Sequence, residues 1–296
     1  MLSKEKDMML PEDDHDLGFV NDLPRMLGRR GMLTMMGGVG LTAIAADPAA
    51  ALDCVALPWE TAGPYPADGS NTRRGQTVNA LTQSGVIRSD LRPSFGGMSV
   101  VADGVRLDLE LVLQSSEGCT PLVGHAIYIW HCDTTGLYSL YDVPEANWLR
   151  GVGLSDAEGK VHFTSIFPGC YDGRWPHIHF EIFESAEAAV SGAASLLTAQ
   201  IALPEADCAA VYAQDARYSN GTRNLGRITL ARDNVFSDNT DAELAQQMLA
   251  MSGDPVAGYR GTVTIPVGFT ADRNTAGGPP PPGGFLGRWL RGGPRE

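Results

Sequence analysis

Basic side chains are scarce in this sequence: 22 Lys and Arg stand against 35 Asp and Glu in 296 residues, for a formal charge of -13 and a pI near 4.8. Phosphate backbones are held by basic surfaces, so this balance excludes nucleic acid as the principal partner and reads as a solvated acidic exterior. No CxxC pair occurs among Cys54, Cys119, Cys132, Cys170 and Cys208, which argues against a structural zinc site. An odd number of cysteines leaves at least one thiol without an intrachain partner or points to pairing between chains, so a homo-oligomer stays open. No apolar run is long enough for a comfortable membrane span, and there are no internal repeats. Aromatic residues are only 7% of the chain, whereas Gly (35) and Pro (19) are plentiful. That mixture favours many turns and short strands over long helices. The length suffices for one large domain or two small ones with a substantial core.

Three regions follow from the changes in composition. Residues 1–51 form an N-terminal extension, polar and partly acidic up to about residue 28. Gly28-Arg29-Arg30-Gly31-Met32-Leu33 then opens a Gly- and Ala-rich apolar run that ends in small residues near Ala46. Paired arginines, a moderately apolar segment and an A-x-A-like site resemble a twin-arginine export signal. The resemblance implies a periplasmic or extracellular protein, or a cytoplasmic one if the arginine pair is fortuitous. Residues 52–270 read as the folded domain. Residues 271–296 comprise the Pro/Gly run Ala276–Gly284 and a flexible tail containing Trp289.

Within the domain, Leu107, Leu109, Leu111 and Leu113 alternate with Asp108, Glu110 and Val112, the period-two signature of a half-buried strand. Further strands are predicted at 125–130, 160–166, 176–183, 196–202, 227–230 and 261–267. Gly, Pro and Asp bound many of them, so the predicted fold is an all-β, two-sheet β-sandwich with short helices and long loops. One helix is expected over 244–251, opened by the capping box Thr240-Asp241-Ala242-Glu243.

The chemistry concentrates in two segments. In Pro168-Gly169-Cys170-Tyr171-Asp172-Gly173-Arg174-Trp175-Pro176-His177-Ile178-His179-Phe180, residues i and i+2 of a strand share a face, so His177 and His179 project together. Two imidazoles on one rigid strand make half of a metal site. A Gly-rich turn presents Tyr171 six residues before His177, and Arg174 precedes His177 by three. The second segment, Trp130-His131-Cys132-Asp133-Thr134-Thr135-Gly136-Leu137-Tyr138-Ser139, follows an apolar strand and sets a tyrosine just past a turn. A zinc or copper hydrolase built on the His pair lacks an evident third ligand and a general base.

Taken in order, these segments resemble the intradiol ring-cleavage dioxygenases, whose pattern runs approximately W-H-x-D-x-x-G-x-Y-S, then P-G-x-Y, then R-x-x-H-I-H-F. Gly63-Pro64-Tyr65-Pro66, Arg88-Ser89-Asp90-Leu91, Leu149-Arg150-Gly151 and Leu197-Thr198-Ala199-Gln200-Ile201 resemble flanking elements of the same family, and the match spans residues 55–240. The resemblance implies that Tyr138, Tyr171, His177 and His179 ligate one Fe(III) per chain, with Tyr171 also serving as a base. It implies that Arg174 stabilises negative charge on the substrate carbon skeleton and that Gln200 hydrogen-bonds in the same pocket. The reactants would be a catechol-type diol and O2, the product a muconate-type dicarboxylate. Two anionic phenolates suit a ferric ion, whereas a two-histidine, one-carboxylate set would favour Fe(II). His131 is expected to pack behind the ligands, Trp175 to line the pocket mouth, and a Cys132–Cys170 disulfide is one way to brace the site. The alternative is a non-catalytic β-sandwich binding module on the same scaffold. No basic residue is evident for a substrate carboxylate, which leaves catechol, hydroxyquinol and lignin-derived diols open.

Overall fold

The computed structural model describes residues 55–269. The N-terminal extension with its export-like segment and the tail from residue 271 lie outside the described residues, so the boundaries assigned to them stay expectations.

Among the described residues there are ten strands: β1 (Asp68–Arg73), β2 (Gln76–Asn79), β3 (Arg106–Ser115), β4 (Ala126–Trp130), β5 (Arg150–Leu154), β6 (Lys160–Ile166), β7 (His177–Phe183), β8 (Leu197–Ala202), β9 (Ala250–Asp254) and β10 (Gly258–Val267). One four-stranded sheet runs β6-β3-β10-β9, a second runs β5-β4-β7-β8, and β1-β2 forms a small hairpin. All pairings within these sheets are antiparallel except β10 with β3, which is parallel from Tyr259↔Leu107 to Val267↔Ser115. The leucines of β3 are buried while their neighbours are half-exposed, as the alternation requires. They share one core with Val161, Phe163 and Ile265 from their own sheet and with Ile127, Ile129, Ile178, Phe180 and Ile182 from the other. The architecture is an all-β sandwich.

Strand β7 is buried at every position. Its Ile178, Phe180 and Ile182 enter the inter-sheet core. A second cluster, with Tyr128, Trp130, Cys132, Tyr138 and Tyr141, covers the outer face of the same sheet. The functional candidates lie under that outer cover.

Two expectations are corrected. Residues 227–230 are not a strand: Arg227 and Ile228 donate to Asn224 and Leu225 carbonyls, and Arg232 to Thr229, so the bonds close local turns. Only Ile228 of that stretch is buried, too little apolar surface to seat a strand. The predicted helix also starts and ends earlier. Four α-helices are described, α1 (Ala186–Ser191), α2 (Glu205–Gln214), α3 (Gly221–Leu225) and α4 (Asp241–Gln247), with 3-10 turns at 216–218 and 230–232. The capping box is present, Thr240 accepting from the Glu243 N–H while the Glu243 carboxylate accepts from the Thr240 N–H. The helix stops at Met248, whose backbone is extended, because 250–254 is recruited as β9 against β10.

Candidate metal and substrate site

A row of side chains crosses the outer face of the second sheet in register: Arg150 on β5, Trp130 on β4, His179 on β7 and Gln200 on β8. Trp130 lies flat on the His179 ring, with centroids 5.0 Å apart and planes 2° from parallel, which fixes that imidazole. His177, two residues earlier on the same strand, completes the pair.

The tyrosines arrive on two crossing loops. After β4, the Asp133 carboxylate accepts from the backbone N–H groups of Thr135 and Leu137, closing the turn that delivers Tyr138. The Tyr138 N–H then donates to Asp142. The second loop presses against the first at Gly169, whose N–H donates to the Asp133 carbonyl at 2.9 Å. A β-carbon on Gly169 would lie 2.6 Å from the backbone oxygens of both Asp133 and Thr134. Gly136, at φ +90°, is bare for a related reason, since a β-carbon there would lie 2.7 Å from that of Tyr171. The two glycines thus let the loops pack backbone to backbone with the tyrosines facing one another.

Four donor atoms converge as a result. Tyr138 Oη is 3.5 Å from Tyr171 Oη, Tyr171 Oη is 3.2 Å from His177 Nε2, and His177 Nε2 is 3.0 Å from His179 Nε2. His177 Nδ1 lies against the Trp175 carbonyl, which can only accept, so Nδ1 carries the hydrogen and Nε2 offers its lone pair inward. His179 Nδ1 is buried without a hydrogen-bond partner. Burial pushes both phenols above their ordinary pKa, the neighbouring tyrosine adding to the rise at Tyr138 and Arg174 opposing it at Tyr171. Burial, with the charges around them, also holds both imidazoles well below theirs. Among the described residues no group of three or more His, Cys, Asp or Glu is arranged to hold a metal. The converging set is instead two phenols and two imidazoles. Its spacings match donors that share one ion at about 2 Å, and phenolate oxygens suit a hard, highly charged cation. The residues present therefore fit a ferric ion.

Arg174 sits beside these atoms, its side chain 12% exposed. Its Nε donates to Asp233 Oδ2 at 2.8 Å and its Nη2 to Gln200 Oε1 at 2.7 Å. Gln200 Nε2 donates to the Thr61 carbonyl, fixing which end of the amide faces the guanidinium. All six residues singled out from the sequence are thus brought together. Asp233 was not among them. Nor was Arg150, which is fully buried and donates to the carbonyls of Tyr65, Pro66 and Ser139 and to the Ser139 hydroxyl. It ties the loop that bears Tyr138 to the segment preceding β1.

Of the remaining expectations, that for His131 is met, whereas those for Trp175 and for a Cys132–Cys170 disulfide are not. His131 is buried with Nδ1 on the Cys132 carbonyl and Nε2 accepting from the Ser165 hydroxyl, behind the donors rather than among them. Trp175 does not line a pocket mouth: it is buried in the inter-sheet core, with its indole N–H on the Leu203 carbonyl. No disulfide joins Cys132 and Cys170, which are free, buried thiols like Cys208. Cys119 is disulfide-bonded.

Glu60 is a buried neighbour with an unusual load. Its Oε1 accepts from Asn239 and Gln247, whereas its Oε2 is buried without a partner. Burial raises its pKa from 4.5 to about 7 against the lowering effect of those hydrogen bonds. The folded chain therefore keeps a proton that the unfolded chain releases from about pH 4.5 upward. Its contribution to stability is full below pH 4.5 and is lost as the pH rises through about 7, a loss of about 3 kcal/mol. Glu60→Gln should match the parent at pH 4 and exceed it at pH 8 in denaturant unfolding; equal curves at both pH values would contradict this account.

Comparison with known proteins bears on this geometry. A family model described as Dioxygenase matches residues 101–210. The protocatechuate 3,4-dioxygenase beta chain of Burkholderia cepacia is 27% identical over 146 residues. Over these stretches the chain is similar to the intradiol ring-cleavage dioxygenases. The Burkholderia match covers 40% of this chain and 62% of that relative, less than two thirds of its length. Among solved structures, an intradiol ring-cleavage dioxygenase from Tetranychus urticae aligns over 75% of this chain and 99% of its own, with TM-score 0.56 and 21% identity. A further dioxygenase crystal structure aligns over 75% and 98%, with TM-score 0.57 and 21% identity. These two likenesses establish a shared fold. Among the described residues no helix is long and apolar enough to cross a membrane.

Proposed function

We propose that this chain is a non-haem iron(III) dioxygenase that opens a catechol-type diol with O2, breaking the bond between the two hydroxyl-bearing carbons to give a muconate-type dicarboxylate. The observation that carries the reading is the convergence of Tyr138 Oη, Tyr171 Oη, His177 Nε2 and His179 Nε2 within 3.0–3.5 Å of their neighbours. When bound there, iron(III) supplies the Lewis acidity that draws electron density from the two catechol oxygens.

The protein side chains divide the remaining work. His177 and His179 hold their nitrogens from a rigid strand, and Tyr138 is fully packed beneath Tyr65, with ring centroids 4.9 Å apart. Tyr171 sits on a turn and is only partly buried. With iron bound, Tyr171 would be the donor free to give way to the diol, and its oxygen would take up a substrate proton. Arg174 directs a guanidinium at negative charge developing on the ring, held in place by Gln200. The twin-arginine-like segment supports action outside the cytoplasm, and the disulfide at Cys119 suits an oxidising compartment. Cell fractionation that finds the chain only in the cytosol would remove that part of the reading.

The test is spectroscopic and manometric. The iron-loaded chain should be wine-red from phenolate-to-iron charge transfer, should change colour on addition of catechol, and should consume O2 with one diol of a panel. A colourless protein that binds catechols without O2 uptake would indicate a binding module instead.

A further inference from the structure

An arginine side chain turns about four bonds, so a guanidinium that must approach a substrate from one direction needs an anchor. Arg174 has one in Asp233. The Asp233 side chain has no solvent exposure. Its Oδ1 accepts from the backbone N–H groups of Val235 and Phe236 at 2.9 and 3.2 Å, which fixes the carboxylate within its own turn. Its Oδ2 then faces the other loop and accepts from Arg174 Nε at 2.8 Å and from the Trp175 N–H at 2.7 Å. With Nε on Asp233 and Nη2 on Gln200, the Nη1 group is the one left without a protein partner among the described residues. Two of the guanidinium's three nitrogens are thereby immobilised and the third is free to meet a ligand.

We propose that Asp233 is a positioning residue for the reaction: it acts through Arg174, fixing the direction of the free Nη1 edge and balancing its charge. The catalytic part of this statement rests on the dioxygenase reading above, whereas the anchor does not. A buried carboxylate paired with a guanidinium gives direction without adding net charge, and removing one partner strands the other.

A double-mutant cycle separates this role from simple stitching of the two turns. Asp233→Asn should lower kcat/KM for the preferred diol about tenfold or more, mainly through kcat. In an Arg174→Gln background the same change should cost less than about twofold, because the group it acts through is gone. Equal costs in both backgrounds would overturn the proposal, since a stitch matters whether or not the arginine is present. As a check that needs neither turnover nor a variant that folds poorly, nitrogen-15 spectra can follow the Arg174 Nε–H in the 296-residue chain purified without added metal. The signal, assigned by its absence in Arg174→Gln, should exchange slowly with water; exchange at the rate of a free guanidinium would overturn the anchor. A parent protein that turns over no diol would instead refute the dioxygenase reading and leave the exchange measurement to decide the anchor alone.

Discussion

Tyr138→Phe is expected to abolish ring cleavage and to strip most of the visible colour while leaving the protein folded. The substitution deletes one oxygen and keeps the ring that packs on Tyr65 and on the outer face of the sheet. That oxygen has no hydrogen-bond partner other than Tyr171 Oη at 3.5 Å among the described residues, so its loss costs the metal-free fold little. Its loss to a bound ferric ion is larger. Changing even groups behind the ligands typically costs 10–100-fold in metal affinity, so removing a ligand should cost at least about 100-fold. His177→Ala should go further, emptying a position on β7 whose Nδ1 is already tied to the Trp175 carbonyl. Iron per chain, the visible spectrum and O2 uptake, measured beside a thermal melt, check both variants. A coloured, active His177→Ala protein would refute the ligand assignment.

Gly169→Ala should be nearly as damaging although it touches no donor atom. The new methyl carbon would lie 2.6 Å from two backbone oxygens, and neither can swing aside as a side chain could. The loop bearing Tyr138 and the loop bearing Tyr171 must therefore move apart, giving up the Gly169–Asp133 hydrogen bond. Forcing a methyl into close-packed surroundings costs about 1–3 kcal/mol. The sharper effect is on the separation of the two phenol oxygens, which one ion must span. Iron content should fall well below one per chain, and Tm should fall with it. A Gly169→Ala protein with full iron and parental turnover would show that the loop crossing does not set the site.

The parts of this site readable in advance are those where one element alone places a group. His177 and His179 share a strand face by simple alternation, and the leucines of β3 announce the core by the same rule. The capping box at Thr240 was equally plain. What escaped notice depends on partners far away in the chain. Asp233 meets Arg174 across 59 residues, within a stretch that has no local pattern of its own. Trp175 adjoins Arg174 in sequence but turns into the core, where its indole N–H finds the Leu203 carbonyl. Helices α2 and α3 are short and bury few residues each, so no periodicity marks them. The extent of α4 is not legible locally because 250–254 is claimed as an edge strand by β10.

The parallel pairing of β10 with β3 joins stretches of chain about 150 residues apart. Contacts so remote in sequence are slow to find, because a long loop must close before any of them can form, and such topologies typically fold in about milliseconds to seconds. Until that last strand docks, one edge of β3 is unpaired and its leucine face lacks the flanking side chains of Val263 and Ile265. The sheet that bears the histidines packs against that same face. Assembly of the four donors should therefore be a late event in the life of each molecule, and cofactor uptake should lag behind the appearance of secondary structure.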